Sequence, residues 1–462
     1  MFTNTKFKNF YIAVLLSVTL ALSIFAEPSL FSIYINNVIP VRIALPILVL
    51  VGYILFLKKI KIKKKSYLDF ALIFLFLFNL VNFLTIFVTV DVKNYLGINI
   101  FWFLLFLYLL LLKNVNLSYA KTIFFKFLLG ISILMVFLSA VSFIYFLYIF
   151  LFNGYWGPIK VSTVISDENH YAFYVLFLIF TNLYLLNTKT LRVKSYIYYL
   201  ILFFLSSIFL GLQSRSAMLG LLFGGIVYVF FSILKKLLII KPIIVILLGL
   251  FFSTWFFKPF VTTASPKYAN TPITKKQESA NLKLNEDQKN FDTIVNIEKL
   301  NNNLPHSLNE ASVKSHISLL FISYFAGINN PLLGVGVGSF NEYVMANKNL
   351  FNLYAKYDPQ AAYSGVFPAH SMYGQNLAES GFFGFTFYIL FLFSIFIFLL
   401  NKINNTKDEV SFRLVLCSLS IFVGYLVFTI TYNLHEEWFW IPFFTLLVLV
   451  DQQSNKNQKS LN

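Results

Sequence analysis

The sequence predicts an all-α polytopic membrane protein of about twelve transmembrane helices with one large loop on its outer side. Three observations predict it. The 462 residues are 58% hydrophobic and only 12% charged, too little polar surface to cover a soluble globule of that size. Apolar runs of spanning length recur along the chain. Lysines and arginines gather in short runs between those segments, on alternate connections, which is how cytoplasmic loops are marked.

A hydrocarbon core needs about 20 residues of helix. Runs of that order occur near 10–26, 38–57, 68–90, 96–112, 124–151, 171–187, 196–213, 217–234 and 242–257, and again near 376–400, 411–432 and 437–450. The first run also resembles a signal peptide, with Lys6 and Lys8 in front and Ala26 near its end. Its length, and Ile24 in the small-x-small cleavage pattern, favour an uncleaved helix. Residues 1–257 thus hold nine spans, 258–375 the large loop, 376–450 the last three spans and 451–462 a tail.

Orientation follows from the basic residues. Lys6 and Lys8, the run Lys58 to Lys65, Lys113, Lys121 and Lys126, and Lys189, Arg192 and Lys194 fall on one side. So do Lys235, Lys236 and Lys241, then Lys402, Lys407 and Arg413, and finally Lys456 and Lys459. The short loops of the other side carry only Arg42, Lys93, Lys160 and Arg215. Both termini are therefore expected in the cytoplasm. The net charge of +17 belongs to this pattern, and outside those loops no basic face with interleaved aromatics remains for nucleic acid.

Residues 258–369 change in texture to Asn, Lys, Ser and Glu, an external loop long enough to be functional, disordered or both. Within it "SVKSHISLLFISYFAG" reads as an amphipathic helix near the membrane surface. The single Cys417 excludes an intrachain disulfide and Cys-based metal sites. No HExxH and no paired acidic motif appears, so neither a catalytic metal nor another cofactor is expected.

Ionisable groups in a membrane protein mark function when they lie away from the cytoplasmic edge. Here they collect at the outer leaflet: Asp167, Glu168 and His170, then Arg215, then His370 and Glu379, then His435, Glu436 and Glu437. None forms a chain across the membrane, which disfavours a proton relay, an ion pathway or a glycan transporter. Arg215, in "GLQSRSAMLG", sits in a tight outer hairpin. Its planar fork suits a phosphate oxygen, and equally a lipid headgroup to which an interfacial arginine snorkels. His370 opens "HSMYGQNLAESGFFG", where a titratable imidazole either serves as a general base or donates to a helix cap. Asn169, in "ISDENHYAFY", bonds a sugar or caps a helix. The glycines of "LLGVGVGSF" permit a tight turn, or close approach to a ligand or a neighbouring helix; no strand precedes them, so a dinucleotide fingerprint is discounted.

In order and wording, these residues resemble the bacterial O-antigen ligase and polymerase superfamily of membrane glycosyltransferases. "NHYA" is similar to that family's Asn-x-x-Ala element, "SRSA" to its outer hairpin arginine, "PLLGVGVGSF" to its periplasmic glycine-rich segment, and "HSMYGQNLAESGFFG" to its His-bearing signature. The resemblance implies a GT-C-like enzyme of the bacterial inner membrane, with its active site at the periplasmic face. It further implies metal-independent, inverting transfer of a glycan from undecaprenyl diphosphate to an acceptor hydroxyl. The acceptor would be lipid A-core for a ligase. A polymerase joining repeat units and a protein O-oligosaccharyltransferase would use the same donor. His370 would act as base or orient the acceptor, and Arg215 would bind the diphosphate. Asn169, Gly336 and Gly338 would contact substrate, and Glu379 would order the His-bearing loop. Family members often carry a second arginine in the loop helix. Here "SVKSHISLLF" offers Lys314 and His316 in its place.

Overall fold

The computed structural model describes residues 11–19, 40–56, 67–117, 120–153, 168–212, 214–261, 311–357, 367, 369–432 and 436–459. Among them there is no strand. The helices, in chain order, are α1 (11–19), α2 (Pro40–Phe56), α3 (Tyr67–Leu84), α4 (Val92–Asn114) and α5 (Lys121–Asn153). There follow α6 (Glu168–Thr188), α7 (Ser195–Gly211), α8 (Arg215–Leu234), α9 (Ile240–Val261) and α10 (Ala311–Asn329). The last are α11 (Phe340–Ala346), α12 (Lys348–Tyr357), α13 (Met372–Asn405), α14 (Glu409–Phe428) and α15 (Glu436–Lys459).

Seven of these are long and apolar enough to cross a membrane: α3 with the turn after it, α4, α5, α6, α8, α13 and α14. The shorter apolar helices α2, α7, α9 and α15 coincide with the second, seventh, ninth and twelfth runs of the sequence. A further one, Leu319–Asn329 within α10, belongs to the large loop. The architecture is that of a polytopic helical membrane protein, with seven spans supported by length and composition.

Helix α6 forms the centre of the bundle. It is apolar all round, and 89% of its spanning window is buried, against 28% for α8 at the periphery. Helices α8 and α14 pack antiparallel through small residues: a Cβ on Gly220 would stand 2.8 Å from the Gly424 carbonyl oxygen, and one on Gly224 2.6 Å from that of Ser420. Such contact aligns the start of α8 with the end of α14. The opposite ends of the bundle are held by ion pairs, Lys113 with Asp69, Lys402 with Asp451 (3.1 Å) and Arg413 with Glu409 (2.7 Å). These basic ends are the ones the sequence assigns to the cytoplasm.

Two elements depart from the sequence reading. The run near 68–90 is not one helix: α3 stops at Leu84 and a 3₁₀ turn, Thr85–Phe87, follows. The Thr85 hydroxyl donates to the Asn82 carbonyl (2.8 Å) and accepts from the Val337 N–H (3.3 Å), giving the chain alternatives to the helical ladder. Helix α13 begins before residue 376, at Met372, and is interrupted at Gly381 (φ 63°, ψ −168°). The large loop also has a core of its own, in which Leu319 and Ile322 of α10 meet Phe340, Val344, Tyr354 and Phe367.

Candidate active site

His370 lies one residue ahead of α13. The cap of that helix is Ser371, whose hydroxyl accepts from the Gly374 N–H (3.3 Å), so the imidazole does not hold the cap position. His370 is half-buried, with φ at 51°, in the left-handed region. For a residue with a Cβ that region costs about 1–2 kcal/mol, although His visits it more often than most. The surroundings impose it. On one side the Ala369 carbonyl accepts from the Ser323 hydroxyl of α10 (3.3 Å). On the other, the Met372 N–H (3.1 Å) and the Ser371 hydroxyl (3.4 Å) both donate to the Thr429 carbonyl at the end of α14. A strained residue pinned on both flanks is a frequent signature of a functional position.

Arg215 is the first residue of α8 and is exposed. Ser214 caps that helix, accepting from the Ala217 N–H (3.3 Å), while its own hydroxyl donates to Asn169 Oδ1 (2.6 Å) at the start of α6. The next residue, Ser216, shares a 2.8 Å hydrogen bond with the hydroxyl of Thr431. His170, buried beside Asn169, meets the ring of Tyr432 edge-on at 5.4 Å. Three separate hydrogen bonds therefore tie the start of α8 to α6 and to the end of α14, and that end to the His370 loop: Ser214 with Asn169, Ser216 with Thr431, and Ser371 with the Thr429 carbonyl. They gather Asn169, Arg215 and His370 onto one rim of the bundle. The positive end of the α8 dipole adds to the Arg215 charge, so the rim suits an anionic group.

Glu379 and the glycine segment form a second layer behind this rim. The carboxyl of Glu379 is buried, accepts from the Gly338 and Phe340 N–H groups, and receives Gln375 Nε2 at 3.3 Å. It thus fastens the glycine segment, two turns beyond the loop that carries His370. Around the break at Gly381, the Ala378 and Glu379 carbonyls accept from Val335 (2.8 Å) and Gly336 (3.1 Å) N–H groups, and the Phe382 N–H donates to the Pro331 carbonyl (2.7 Å). On the other face, Ser339 Oγ receives the Val90 N–H (3.0 Å) and pairs with the Thr89 hydroxyl (2.7 Å).

Gly336 (φ 95°) and Gly338 (φ 75°) adopt conformations that other residues rarely take. A Cβ on Gly336 would lie 2.6 Å from the Thr89 Cα, and one on Gly338 3.0 Å from the Tyr95 nitrogen. Their open faces are filled by the chain itself, so their freedom seats one backbone on another. Gly336→Ala should accordingly cost about 1–2 kcal/mol in backbone strain and about 1–3 kcal/mol in overpacking. A lower thermal midpoint of the purified protein, or failure to accumulate, is expected; an unchanged midpoint would show that this seat is not made.

Lys314 and His316 fall in the first two turns of α10, but their side chains lie outside the described residues, as do those of Glu168, Glu436 and Glu437. Asp167 and His435 lie outside altogether. No group of three His, Cys, Asp or Glu that could hold a metal occurs among the described residues. Sequence reasoning passed over Glu342, next to the glycine segment, whose carboxyl is pushed up by burial and further by nearby Asp91, against a hydrogen bond from its own backbone. It also passed over the hydroxyls of Ser214, Ser216, Thr429 and Thr431, which carry no sequence signal beyond their place at helix ends.

Residues 200–389 match a family model described as O-Antigen ligase. The matched stretch covers less than half of the chain. It runs from α7 into α13 and includes Arg215, the large loop, the glycine segment, His370 and Glu379. The match supports the O-antigen ligase and polymerase superfamily that the motifs resemble. No curated protein matches the chain.

Proposed function

We propose that the chain is a ligase-type membrane glycosyltransferase that moves a preassembled polysaccharide from undecaprenyl diphosphate to a hydroxyl of lipid A-core. The observation that carries this reading is that the neighbours of Arg215 and of His370, Ser216 and Ser371, are both hydrogen-bonded to the end of α14, which brings to one rim two residues 155 positions apart that both fall in the stretch matching the O-Antigen ligase model. The acceptor hydroxyl oxygen attacks the anomeric carbon from the face opposite the diphosphate. Its proton passes to the His370 imidazole, the bond from the anomeric carbon to the diphosphate oxygen breaks, and the anomeric centre inverts. Arg215 pairs with the departing diphosphate, stabilising charge where it develops. Lys314 or His316 supplies a further phosphate contact from α10, Lys314 being the stronger at neutral pH, and Asn169 orients the sugar. Glu379, Gly336 and Gly338 hold the wall of the site in shape.

Both termini and the ion-paired ends of the bundle face the cytoplasm in this reading, and the rim faces the periplasm. The glycan profile of a deletion strain tests the activity. Loss of all long chains from lipid A-core, with the lipid-linked polymer accumulating, is expected of a ligase. Chains cut to a single repeat would overturn that choice in favour of a polymerase.

The proposed reaction uses cationic side chains where other transferases use a divalent ion. Purified protein should therefore retain its activity in excess chelator. Strict dependence on added magnesium or manganese would mean that carboxylates such as Glu168 or Glu436 form a metal site.

A further inference from the structure

We propose a second anion site, at the end of the bundle opposite His370 and Arg215, that takes the phosphodiester headgroup of an anionic phospholipid from the inner leaflet. It rests on the orientation given above. A cavity of about 540 Å³ lies between the turn after α8 and the connection from α13 to α14. That is within the range of about 300–1,000 Å³ usual for small-molecule sites. Lys235 and Leu237 line it from the turn after α8, and Asn405, Lys407 and Phe412 from the α13–α14 connection and the start of α14.

Charge favours an anion there. The carboxylate in the lining, Glu409, is engaged by Arg413 at 2.7 Å, and the Arg413 guanidinium also donates to the Leu237 carbonyl (3.2 Å), so that pair is neutral and built into the wall. At the same end Lys113 and Lys402 are neutralised by Asp69 and Asp451. Lys235 and Lys407 have no carboxylate partner among the described residues; Lys235 lies 5.9 Å from the centre of the Phe412 ring. Asp408, beside Lys407, is engaged as the cap of α14, accepting from the Val410 (3.1 Å) and Ser411 (3.2 Å) N–H groups, and exposed Lys236 adds a further positive charge next to Lys235, so the local excess is positive.

The surrounding surface favours a lipid over free phosphate. Beside the cavity, Phe230, Ile233 and Leu234 of α8 and Ile240 and Ile244 of α9 are exposed at 48–61%, an apolar face continuous with the bilayer on which acyl chains can lie. A soluble anion would use the lysines and leave that face unused, whereas a phospholipid satisfies both. Juxtamembrane lysines draw anionic headgroups in this way, and pockets of basic residues between helices retain them.

The full chain, purified into bilayer nanodiscs of equimolar phosphatidylglycerol and phosphatidylcholine and then released, should keep phosphatidylglycerol preferentially in native mass spectra. Lys235→Gln with Lys407→Gln should lower that preference about tenfold or more, and the double Arg variant should keep it. Both lysines are exposed, so the folded state is not at stake. Equal retention by the Gln variant would overturn the site. So would displacement of the lipid by millimolar inorganic phosphate, which would make the ligand a free anion. Sidedness is read separately, by reacting a Lys407→Cys, Cys417→Ser variant with an impermeant maleimide. Labelling only in inverted vesicles is expected; labelling of intact cells would overturn the orientation, and with it the inner leaflet, without altering the nanodisc result.

Discussion

His370→Asn should abolish glycan transfer while leaving the protein in the membrane at near-normal abundance. Removal of a general base typically costs about 100-fold to 10,000-fold in rate. Asn is the more informative replacement because it accepts the left-handed backbone that His370 adopts at φ 51°, whereas Ala adds strain to the lost chemistry. The cap of α13 belongs to Ser371 and is untouched by either change. Donor binding, followed with a labelled lipid diphosphate, should survive. Near-normal transfer by His370→Asn, or disappearance of both variants from the membrane, would assign His370 to the architecture instead of the reaction.

Arg215 should separate into charge and geometry. As an exposed first residue of α8 it buries little, so Arg215→Ala is not expected to unfold the chain. Loss of a group that stabilises developing charge costs about 100-fold to 1,000-fold in turnover, and here donor binding should weaken as well. Arg215→Lys retains the positive charge but not the bidentate fork, and should be intermediate in turnover. Steady-state transfer at several donor concentrations distinguishes these. Equal activity of the Lys and Ala variants would show that a positive charge at this position does nothing.

That Arg215 and His370 share one end of the bundle, away from the lysine-rich connections, was legible because the alternation of basic loops alone puts them together. Lysine-rich connections define one face of the bundle, and every segment between them must surface on the other. Their linkage was not legible. Ser216 and Thr431 are common residues 215 positions apart, and nothing local pairs them. Spans such as α6 were evident from continuous apolar runs, whereas the break in α13 lies inside such a run, marked only by Gly381 in "ESGFFG". For Glu379 the expected partner was the His-bearing loop. Its carboxyl receives Gln375 of the His-bearing segment and also holds the Gly338 and Phe340 amides, a contact that exists only once the glycine segment has folded back onto α13. The close approach of Gly336 to Thr89 and of Gly338 to Tyr95 was equally hidden, because the partners, Thr89 between α3 and α4 and Tyr95 in the first turn of α4, are far away in sequence.

The break at Gly381 bears on how the protein is made. The carbonyls of Ala378 and Glu379 turn to Val335 and Gly336, and those amides are seated in turn on Thr89 and its neighbours. Every partner in this latch precedes α13 in the chain, so the helix carbonyls find their N–H donors already synthesised when they emerge from the ribosome. The loop bearing His370 is different. Ser323, which holds one flank, is already made, but the anchor of the other flank, the carbonyl of Thr429, lies at the end of a helix still to come. The nascent chain thus secures its scaffold first and completes the rim only when α14 has inserted, so that a chain ending before Glu409 would carry the glycine latch and the Ser323 contact but lack the Thr429 anchor beside His370.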